Sequence, residues 1–258
     1  MDRPPQRTQP PSPGDPADWW AAQPGRVELR PDEVHVWRAD IGGHASTGSI
    51  AALSDAERAR AARFRFDADR ERFVASHAAL REILASYLDV APDSLVFGEG
   101  TYGKPFLDAP APGRSHRFSL SHSGEIALVA VSLEREVGVD VERVRPLDDL
   151  DGLITRYLSP HERAALSRVP AGDRLRAFFE TWTLKEAYFK GCGDGLLREL
   201  DAFDVTVGDA QPRLLAVRDR PRDEERWGLR RVRPTEDYVG ALAAEGSGWR
   251  VRALFETA

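Results

Sequence analysis

The chain has 258 residues, of which 41% are hydrophobic and 30% charged, and its formal net charge at pH 7 is −6. This composition predicts a soluble globular protein, and the negative charge excludes a general attraction to nucleic acid. No run approaches the roughly 20 apolar residues that a membrane span needs, and the N-terminus lacks the pattern of a signal peptide. The single cysteine, Cys192, cannot form an internal disulfide, so we expect a cytoplasmic location.

The N-terminal region is rich in proline. Residues 1–31 hold eight prolines and few aliphatic residues, which predicts a disordered or loosely attached leader. Trp19 and Trp20 are the side chains in it that could pack onto the domain surface.

An N-terminal half is expected over residues 32–135. Ser54 and Glu57 have the spacing of a capping box, which predicts the start of a helix that runs through Arg65. Helical periodicity and apolar alternation predict the other elements. These are a helix over Asp69–Leu88 and strands at Val34–Trp37, Leu95–Phe97, Arg117–Ser121 and Ile126–Leu133.

A C-terminal half is expected over residues 136–258. A helical stretch over Leu150–Leu166 contains a fresh helix start at Ser159 and Pro160. The other predicted elements are a helix over Asp173–Lys190 and strands at Val137–Glu142, Phe203–Val207, Leu214–Val217, Trp227–Val232, Tyr238–Ala243 and Trp249–Phe255. Helices and strands alternate without a regular βαβ period, so the predicted fold class is α+β.

Lysine is rare in this chain, and its positions are informative. Of the 36 basic residues only Lys104, Lys185 and Lys190 are lysines. An ammonium and a guanidinium are not equivalent at a phosphate or metal site, so a retained lysine suggests a position that requires a point charge. Chance survival at the surface is the alternative.

Two carboxylates share one face of a predicted strand. Asp140 and Glu142 alternate with three valines, so they lie side by side. Carboxylates ~4 Å apart repel by about 4 kcal/mol at an effective dielectric constant near 20. A shared proton, a nearby arginine or a divalent cation could offset this, and oxygen ligands suit Mg²⁺. The alternative is an acidic strand edge that faces solvent.

A third carboxylate falls in the apolar stripe of the lysine-containing helix. Glu186 lies on the same helical face as Phe178, Phe179 and Trp182, and Lys190 follows one turn later. A buried carboxylate needs a partner. The partner is either Lys190, in a simple helix pair, or a metal that Asp140 and Glu142 also bind.

The end of one predicted strand is suited to anion binding. Ser121, His122 and Gly124 place a hydroxyl, an imidazole and free backbone N–H groups together. A lone histidine is also common as a structural group. No G-x-S-x-G elbow, Walker P-loop or strand-linked G-x-G-x-x-G is present.

Four motifs in order resemble the Sfp-type 4′-phosphopantetheinyl transferases, which prime carrier proteins from coenzyme A. They are Gly103–Pro105, Phe118–Gly124, Gly138–Glu142 and Trp182–Lys190, and the resemblance covers about residues 34–255. It implies a pseudo-twofold arrangement of two similar α+β halves, with coenzyme A between them.

The resemblance also implies site residues. Asp140, Glu142 and Glu186 would bind Mg²⁺, or Mn²⁺ as an alternative ion, next to the coenzyme A diphosphate. Glu186 would be the general base, and Lys190 would neutralise charge on the phosphate. The expected coenzyme A contacts are Arg60, Arg72, Lys104, Pro105, Ser121, His122, Asp140 and Lys190.

One position departs from the family pattern, and two other charged residues are expected to lie outside the catalytic set. Glu57 stands where the family has a basic residue for the 3′-phosphate, so Arg60 and Arg72 are expected to replace it. We interpret Lys185 as structural or a secondary contact, and Glu162 as a helix-start residue that interacts with the helix dipole.

The resemblance implies a monomer that modifies apo acyl, peptidyl or aryl carrier proteins of polyketide, nonribosomal peptide or siderophore biosynthesis. A non-catalytic module that binds coenzyme A or carrier protein is one alternative. A metal-dependent nuclease is another, since Asp140, Glu142 and a lysine could serve it, but no nucleic-acid partner is expected for an acidic chain.

Overall fold

The computed structural model describes residues 20–22, 27–43, 47–108, 116–193 and 199–255. Its helices are α1 (Thr47–Ala52), α2 (Asp55–Ala61), α3 (Asp67–Leu88), α4 (Leu150–Tyr157), α5 (Pro160–Leu166), α6 (Arg174–Cys192) and α7 (Asp223–Arg226). Short 3₁₀ turns lie at Pro92–Ser94 and Leu200–Ala202. No helix in these ranges has both the length and the apolar character to cross a membrane.

The strands form two main sheets and two small hairpins. They are β1 (Ala21–Ala22), β2 (Glu33–Asp40), β3 (Phe97–Glu99), β4 (Pro105–Leu107), β5 (His116–Ser123), β6 (Ile126–Leu133), β7 (Val137–Arg143), β8 (Phe203–Val205), β9 (Leu214–Val217), β10 (Trp227–Val232), β11 (Tyr238–Glu245) and β12 (Arg250–Phe255). The larger sheet has the order β1-β12-β2-β6-β5, and the smaller has the order β10-β11-β7.

The two sheets stack face to face, with a long helix on the outer face of each. Residues of β6 alternate between two cores: Val129 and Val131 pack with α3, whereas Leu128 and Ala130 pack toward the smaller sheet. In β11, Leu242 belongs to the core between the sheets. Its neighbours Ala241 and Ala243 pack with α6. The layers are therefore helix, sheet, sheet and helix, which confirms the α+β class.

Two predicted helix starts are present in the structure, and the two long helices lie within two residues of their predicted bounds. Ser54 and Ser159 each accept a hydrogen bond from the backbone three residues later and form complete capping boxes with Glu57 and Glu162. These two helix starts are confirmed because a capping box depends only on neighbouring residues. The valines of β7 face the other sheet, as the alternation predicts.

The helix expected to run through Arg65 ends at Ala61, because the N–H groups of Arg63 and Phe64 bond three residues back in a tighter turn. Two strand assignments are also wrong. The strand expected at Leu95–Phe97 begins only at Phe97, because Pro92 starts a 3₁₀ turn and the Leu95 N–H bonds back to the carbonyl oxygen of Pro92 at 3.4 Å. The strand β12, assigned to the C-terminal half, lies in the larger sheet between β1 and β2 and pairs parallel with both.

The N-terminal leader is largely outside the described residues, and its described parts are packed. The indole Nε1 of Trp20 donates to the carbonyl oxygen of Arg233 at 3.0 Å, while Trp19 lies outside the described residues. Val27 and Leu29 are buried in the core beneath α3. The expectation of a loosely attached segment up to residue 31 is therefore wrong for residues 27–31.

A row of serines joins the edges of the two main sheets. The serines stand at alternate positions of β5 and accept hydrogen bonds from backbone N–H groups at alternate positions of β7. The pairs are Ser119 with Val139, Ser121 with Val141 and Ser123 with Arg143, at 3.1, 3.4 and 3.2 Å. The other edge of β7 pairs with β11, so the serine row satisfies N–H groups that a free strand edge would leave open.

Candidate active site

Close packing of α6 on β7 brings the strand and helix motifs together. Gly138 faces the helix, and a methyl group at this position would overlap the backbone of Ala187 and Gly191. Only a residue without a side chain allows this approach. Asp140 lies two residues further along the same face of β7 and meets Lys190, near the end of α6.

Asp140, Lys190 and Ser121 form a compact triangle of hydrogen bonds. Lys190 Nζ donates to Asp140 Oδ1 at 2.7 Å and to Ser121 Oγ at 2.9 Å, and Ser121 Oγ donates to Asp140 Oδ1 at 2.8 Å. Asp140 is 4% exposed, and the Lys190 side chain is 31% exposed. The ammonium therefore reaches solvent while it compensates a buried carboxylate.

The charge of Asp140 affects the pKa values of Glu142 and Glu186. Burial, together with the charges of Asp140 and Glu142, raises the pKa of Glu186 to about 7, and Lys190 opposes the shift. Burial and the Asp140 charge also raise the pKa of Glu142, against a hydrogen bond from Ser123 and the charge of Lys190. Three carboxylates and one ammonium leave excess negative charge, which a divalent cation would offset.

The donor set fits a hard cation. Asp140 Oδ2 is buried and has no hydrogen-bond partner among the described residues, whereas Oδ1 has two. A buried carboxylate oxygen without a partner is costly, and an oxygen-ligated ion such as Mg²⁺ would satisfy it. Within the described ranges no three His, Cys, Asp or Glu side chains converge as a formed metal site. The three-ligand set of Asp140, Glu142 and Glu186 therefore stays a prediction.

Basic residues expected at the nucleotide lie on the α3 side of β5. Partial burial, followed by the charges of Lys190 and Arg72, lowers the pKa of His122, so both cations are near its ring. Arg72 Nη1 lies 3.3 Å from Asp69 Oδ1. The Arg60 guanidinium carbon lies 5.2 Å from the ring centroid of Phe73. Arg72, on α3, thus acts electrostatically on His122, whereas Arg60 lies on the neighbouring helix α2.

Lys104 is bonded within the protein. Its Nζ donates to Glu136 Oε2 at 2.6 Å, to the carbonyl oxygen of Gly191 at 2.8 Å and to that of Val137 at 3.2 Å. An ammonium has three N–H donors, so this arrangement uses all of them. The expected phosphate contact of Lys104 would require it to give up one of these bonds. Pro105, beside it, is exposed at the start of β4.

Lys185 and Glu162 lie away from this cluster and form a structural pair. Both side chains are fully buried, and Lys185 Nζ lies 2.6 and 2.8 Å from the two oxygens of Glu162. Glu57 is likewise structural, because its Oε2 accepts from the buried Arg81 at 2.6 Å and from the backbone of Ser54 at 2.9 Å. A basic residue at this position would leave the buried Arg81 without its carboxylate partner.

Ser123 contacts a predicted metal ligand, and the sequence interpretation did not include it among the site residues. Its hydroxyl donates to Glu142 Oε2 at 2.8 Å. The period-two repeat of serines at 119, 121 and 123 is the signal that could have identified it, because these side chains must share one face of β5.

Two family models match the chain over adjacent regions. The 4′-phosphopantetheinyl transferase superfamily matches residues 136–243, which include β7 and α6. A second family model, described as "4′-phosphopantetheinyl transferase, N-terminal", matches residues 43–134. All four motifs of the sequence analysis fall within these ranges.

Known proteins agree with these matches. The chain is 36% identical to 4′-phosphopantetheinyl transferase HetI of Nostoc sp., over 90% of this chain and 95% of that protein. It is 31% identical to a 4′-phosphopantetheinyl transferase of Bacillus subtilis, over 62% of this chain and 69% of that protein. The crystal structure of Thermotoga maritima holo-[acyl-carrier-protein] synthase covers 43% of this chain and 63% of its own, at 18% identity and a TM-score of 0.34, too distant to add to the assignment. The matches to HetI and to both family models show that this chain belongs to the 4′-phosphopantetheinyl transferase superfamily.

Proposed function

We propose that this 4′-phosphopantetheinyl transferase moves the phosphopantetheine group of coenzyme A to a serine of an apo carrier protein, with Mg²⁺ held by Asp140, Glu142 and Glu186. The observation that carries the proposal is the state of Asp140. One oxygen accepts from Lys190 and Ser121, while the other is buried without a partner among the described residues. Such an oxygen is suited to a metal ion.

Lys190 is proposed to stabilise charge on the phosphoryl group in transit. Its ammonium is fixed by Asp140 and Ser121, and no third partner lies within hydrogen-bond distance among the described residues. One N–H is therefore left for a substrate oxygen. A donor held in place before the reaction costs no reorganisation during it. Bound Mg²⁺ would supply further neutralisation of the coenzyme A diphosphate.

Glu186 is proposed as the general base. Its raised pKa of about 7 matches proton transfer near neutral pH. It would accept the proton of the carrier serine as that oxygen bonds to the β-phosphorus of coenzyme A. The bond from this phosphorus to the bridging oxygen then breaks, and 3′,5′-ADP leaves with the electron pair.

The nucleotide is proposed to lie toward α3. The charges of Lys190 and Arg72 both lower the pKa of His122, which supports a basic region that extends from Lys190 toward α3. Arg60, at α2, would reach the 3′-phosphate from the same side. Phosphates are held well by guanidinium groups, which donate in a planar fork.

The proposed carriers are acyl, peptidyl or aryl carrier domains of polyketide, nonribosomal peptide or siderophore assembly, and the proposed working form is a monomer. Support comes from the similarity to the HetI and Bacillus proteins over most of their length. Family membership sets the nuclease alternative aside.

The test is to incubate the purified protein with coenzyme A, Mg²⁺ and an apo peptidyl carrier domain, and to weigh the carrier by mass spectrometry. We expect a mass gain of one phosphopantetheine group, which EDTA abolishes and added Mg²⁺ restores. Asp140→Asn and Glu186→Gln should abolish transfer. The exposed Glu224, changed to Gln, is the matched control and should be fully active.

Transfer that persists in EDTA would contradict the metal dependence. Full activity in Asp140→Asn would contradict the site. Binding of coenzyme A without any transfer to several carrier types would favour the non-catalytic module.

A further inference from the structure

The hydroxyl of Ser123 makes two hydrogen bonds whose directions are fixed by chemistry. It accepts from the backbone N–H of Arg143 at 3.2 Å, and an N–H can only donate. Its own proton is therefore free for the carboxylate, and it donates to Glu142 Oε2 at 2.8 Å. One oxygen of Glu142 is thus held by a group that is itself anchored to the next residue of β7.

The same arrangement recurs along the serine row, with one informative exception. Ser121 accepts from the N–H of Val141 and donates to Asp140 Oδ1. Ser119 accepts from the N–H of Val139 at 3.1 Å, but the residue before Val139 is Gly138, which has no carboxylate. Each serine therefore joins the two sheets, and only Ser121 and Ser123 also hold a carboxylate.

The turn that follows Ser123 is clamped to the smaller sheet. Gly124 has φ +57°, and the N–H of Glu125 donates to the hydroxyl of Tyr238 at 3.0 Å. A methyl group at Gly124 would overlap that hydroxyl. Because Tyr238 belongs to β11, which pairs with β7, the end of β5 is fixed relative to Glu142 from both sides.

We propose that Ser123 is a positioning residue for the metal site, an inference that rests on the proposed Mg²⁺ ligands. Its hydroxyl fixes Oε2 of Glu142 and leaves Oε1 for the cation, as the Ser121 hydroxyl fixes Oδ1 of Asp140 and leaves Oδ2. A flexible glutamate loses rotamer entropy when it binds a metal, and a preformed hydrogen bond reduces that loss. In this role Ser123 would act through Glu142 and would not be a ligand of the cation.

The test compares Ser123→Ala with Ser119→Ala, because both variants lose a sheet-joining hydroxyl but only the first loses a carboxylate partner. Mn²⁺ is titrated into each protein with coenzyme A present and no carrier protein, and unbound Mn²⁺ is measured by electron paramagnetic resonance against a blank of coenzyme A and Mn²⁺ alone. We expect Ser123→Ala to raise the dissociation constant of Mn²⁺ by about tenfold or more. Ser119→Ala should bind Mn²⁺ as the wild type does, and Ser123→Thr, which keeps the hydroxyl, should restore binding.

The outcomes separate this inference from the proposed function. A wild-type protein that binds no Mn²⁺ overturns the metal site and the role of Ser123 with it. If the wild type binds Mn²⁺ and the Ser123→Ala variant binds it with the same affinity, only the role of Ser123 is overturned. Equal weakening in both alanine variants also overturns it, because the hydroxyls would then act only by holding the sheets together.

Discussion

Lys185 and Glu162 form an ion pair in which neither side chain is exposed to solvent. Every remaining polar atom of the pair is used: the carbonyl oxygen of Phe203 accepts from Lys185 Nζ at 2.6 Å, and Glu162 accepts from the backbone N–H groups of Val205 and Ser159 at 2.8 and 2.9 Å. The pair therefore ties α5, α6 and β8 together.

We expect Lys185→Met to lower the free energy of unfolding by about 3–5 kcal/mol, because it leaves the carboxylate of Glu162 buried without its cation. Urea denaturation measures the change. The double variant Lys185→Met, Glu162→Gln should recover part of the loss, since no unpaired charge remains. A single variant as stable as the wild type would contradict the structural role.

The packing of α6 on β7 predicts that Gly138→Ala is harmful. The added methyl group must push the helix away from the strand, at a typical cost of about 1–3 kcal/mol, and it moves Lys190 relative to Asp140. A displacement of ~1 Å at a catalytic group can lower turnover about a hundredfold. The matched control is Gly172→Ala, where an added methyl group meets no atom. Equal turnover in the two variants would show that the close approach is not needed.

Lys190→Met should lower turnover about 10²–10³-fold, which is typical for the loss of one preorganised donor at a developing charge. Lys190→Arg should not restore it, because a planar guanidinium cannot reproduce contacts to Asp140 Oδ1 and Ser121 Oγ from a single atom. Steady-state transfer kinetics would separate turnover from KM for coenzyme A. A loss confined to KM would show that Lys190 acts in binding only.

Lys104 allows a test between two roles. Because its three donors are used by Glu136, Val137 and Gly191, we expect Lys104→Met to lower the melting temperature. The preference for coenzyme A over 3′-dephospho-coenzyme A should stay unchanged. A smaller preference in the variant would establish the phosphate contact instead.

The stability of the protein should fall in mild acid, in part through His77. Burial lowers the pKa of His77 from 6.5 to about 4, with the charges of Arg60 and His122 acting in the same direction. Between these two values the unfolded chain binds more protons than the folded protein, so stability falls as the pH is lowered through this range and is constant above it. His77→Gln should show a flatter dependence in urea denaturation between pH 4 and pH 6.5. An unchanged slope would assign the acid sensitivity to other groups.

Local chemistry made much of the fold predictable. The strands Ile126–Leu133 and Trp227–Val232 have the predicted bounds, because continuous or alternating apolar residues are bounded by turn residues. The missed strand β4 begins with Pro105 and is only three residues long, so its sequence lacks a strand pattern. Its pairing with β3 depends on the five-residue turn between the two strands, in which Gly103 adopts φ +84°.

The candidate site was predictable where a motif supplied the residues, and less so where contacts join distant segments. The positions of Asp140 and Glu142 on one strand face follow from alternation alone. The bonds of Lys104 to Glu136 and Gly191 span 32 and 87 residues, so no local pattern could reveal that its donors are used. The proximity of Ser123 to Glu142 likewise requires the two sheet edges to meet.

The position of β12 between β1 and β2 has a consequence for synthesis of the protein. The larger sheet contains β2, near the N-terminus, and β12, which ends at Phe255. Its strand pairing therefore cannot be completed until β12 has left the ribosome. Until then β2 presents an unpaired edge in the nascent chain, and exposed edges invite association with other chains. Premature termination anywhere before Arg250 would therefore leave an aggregation-prone product rather than a smaller working enzyme.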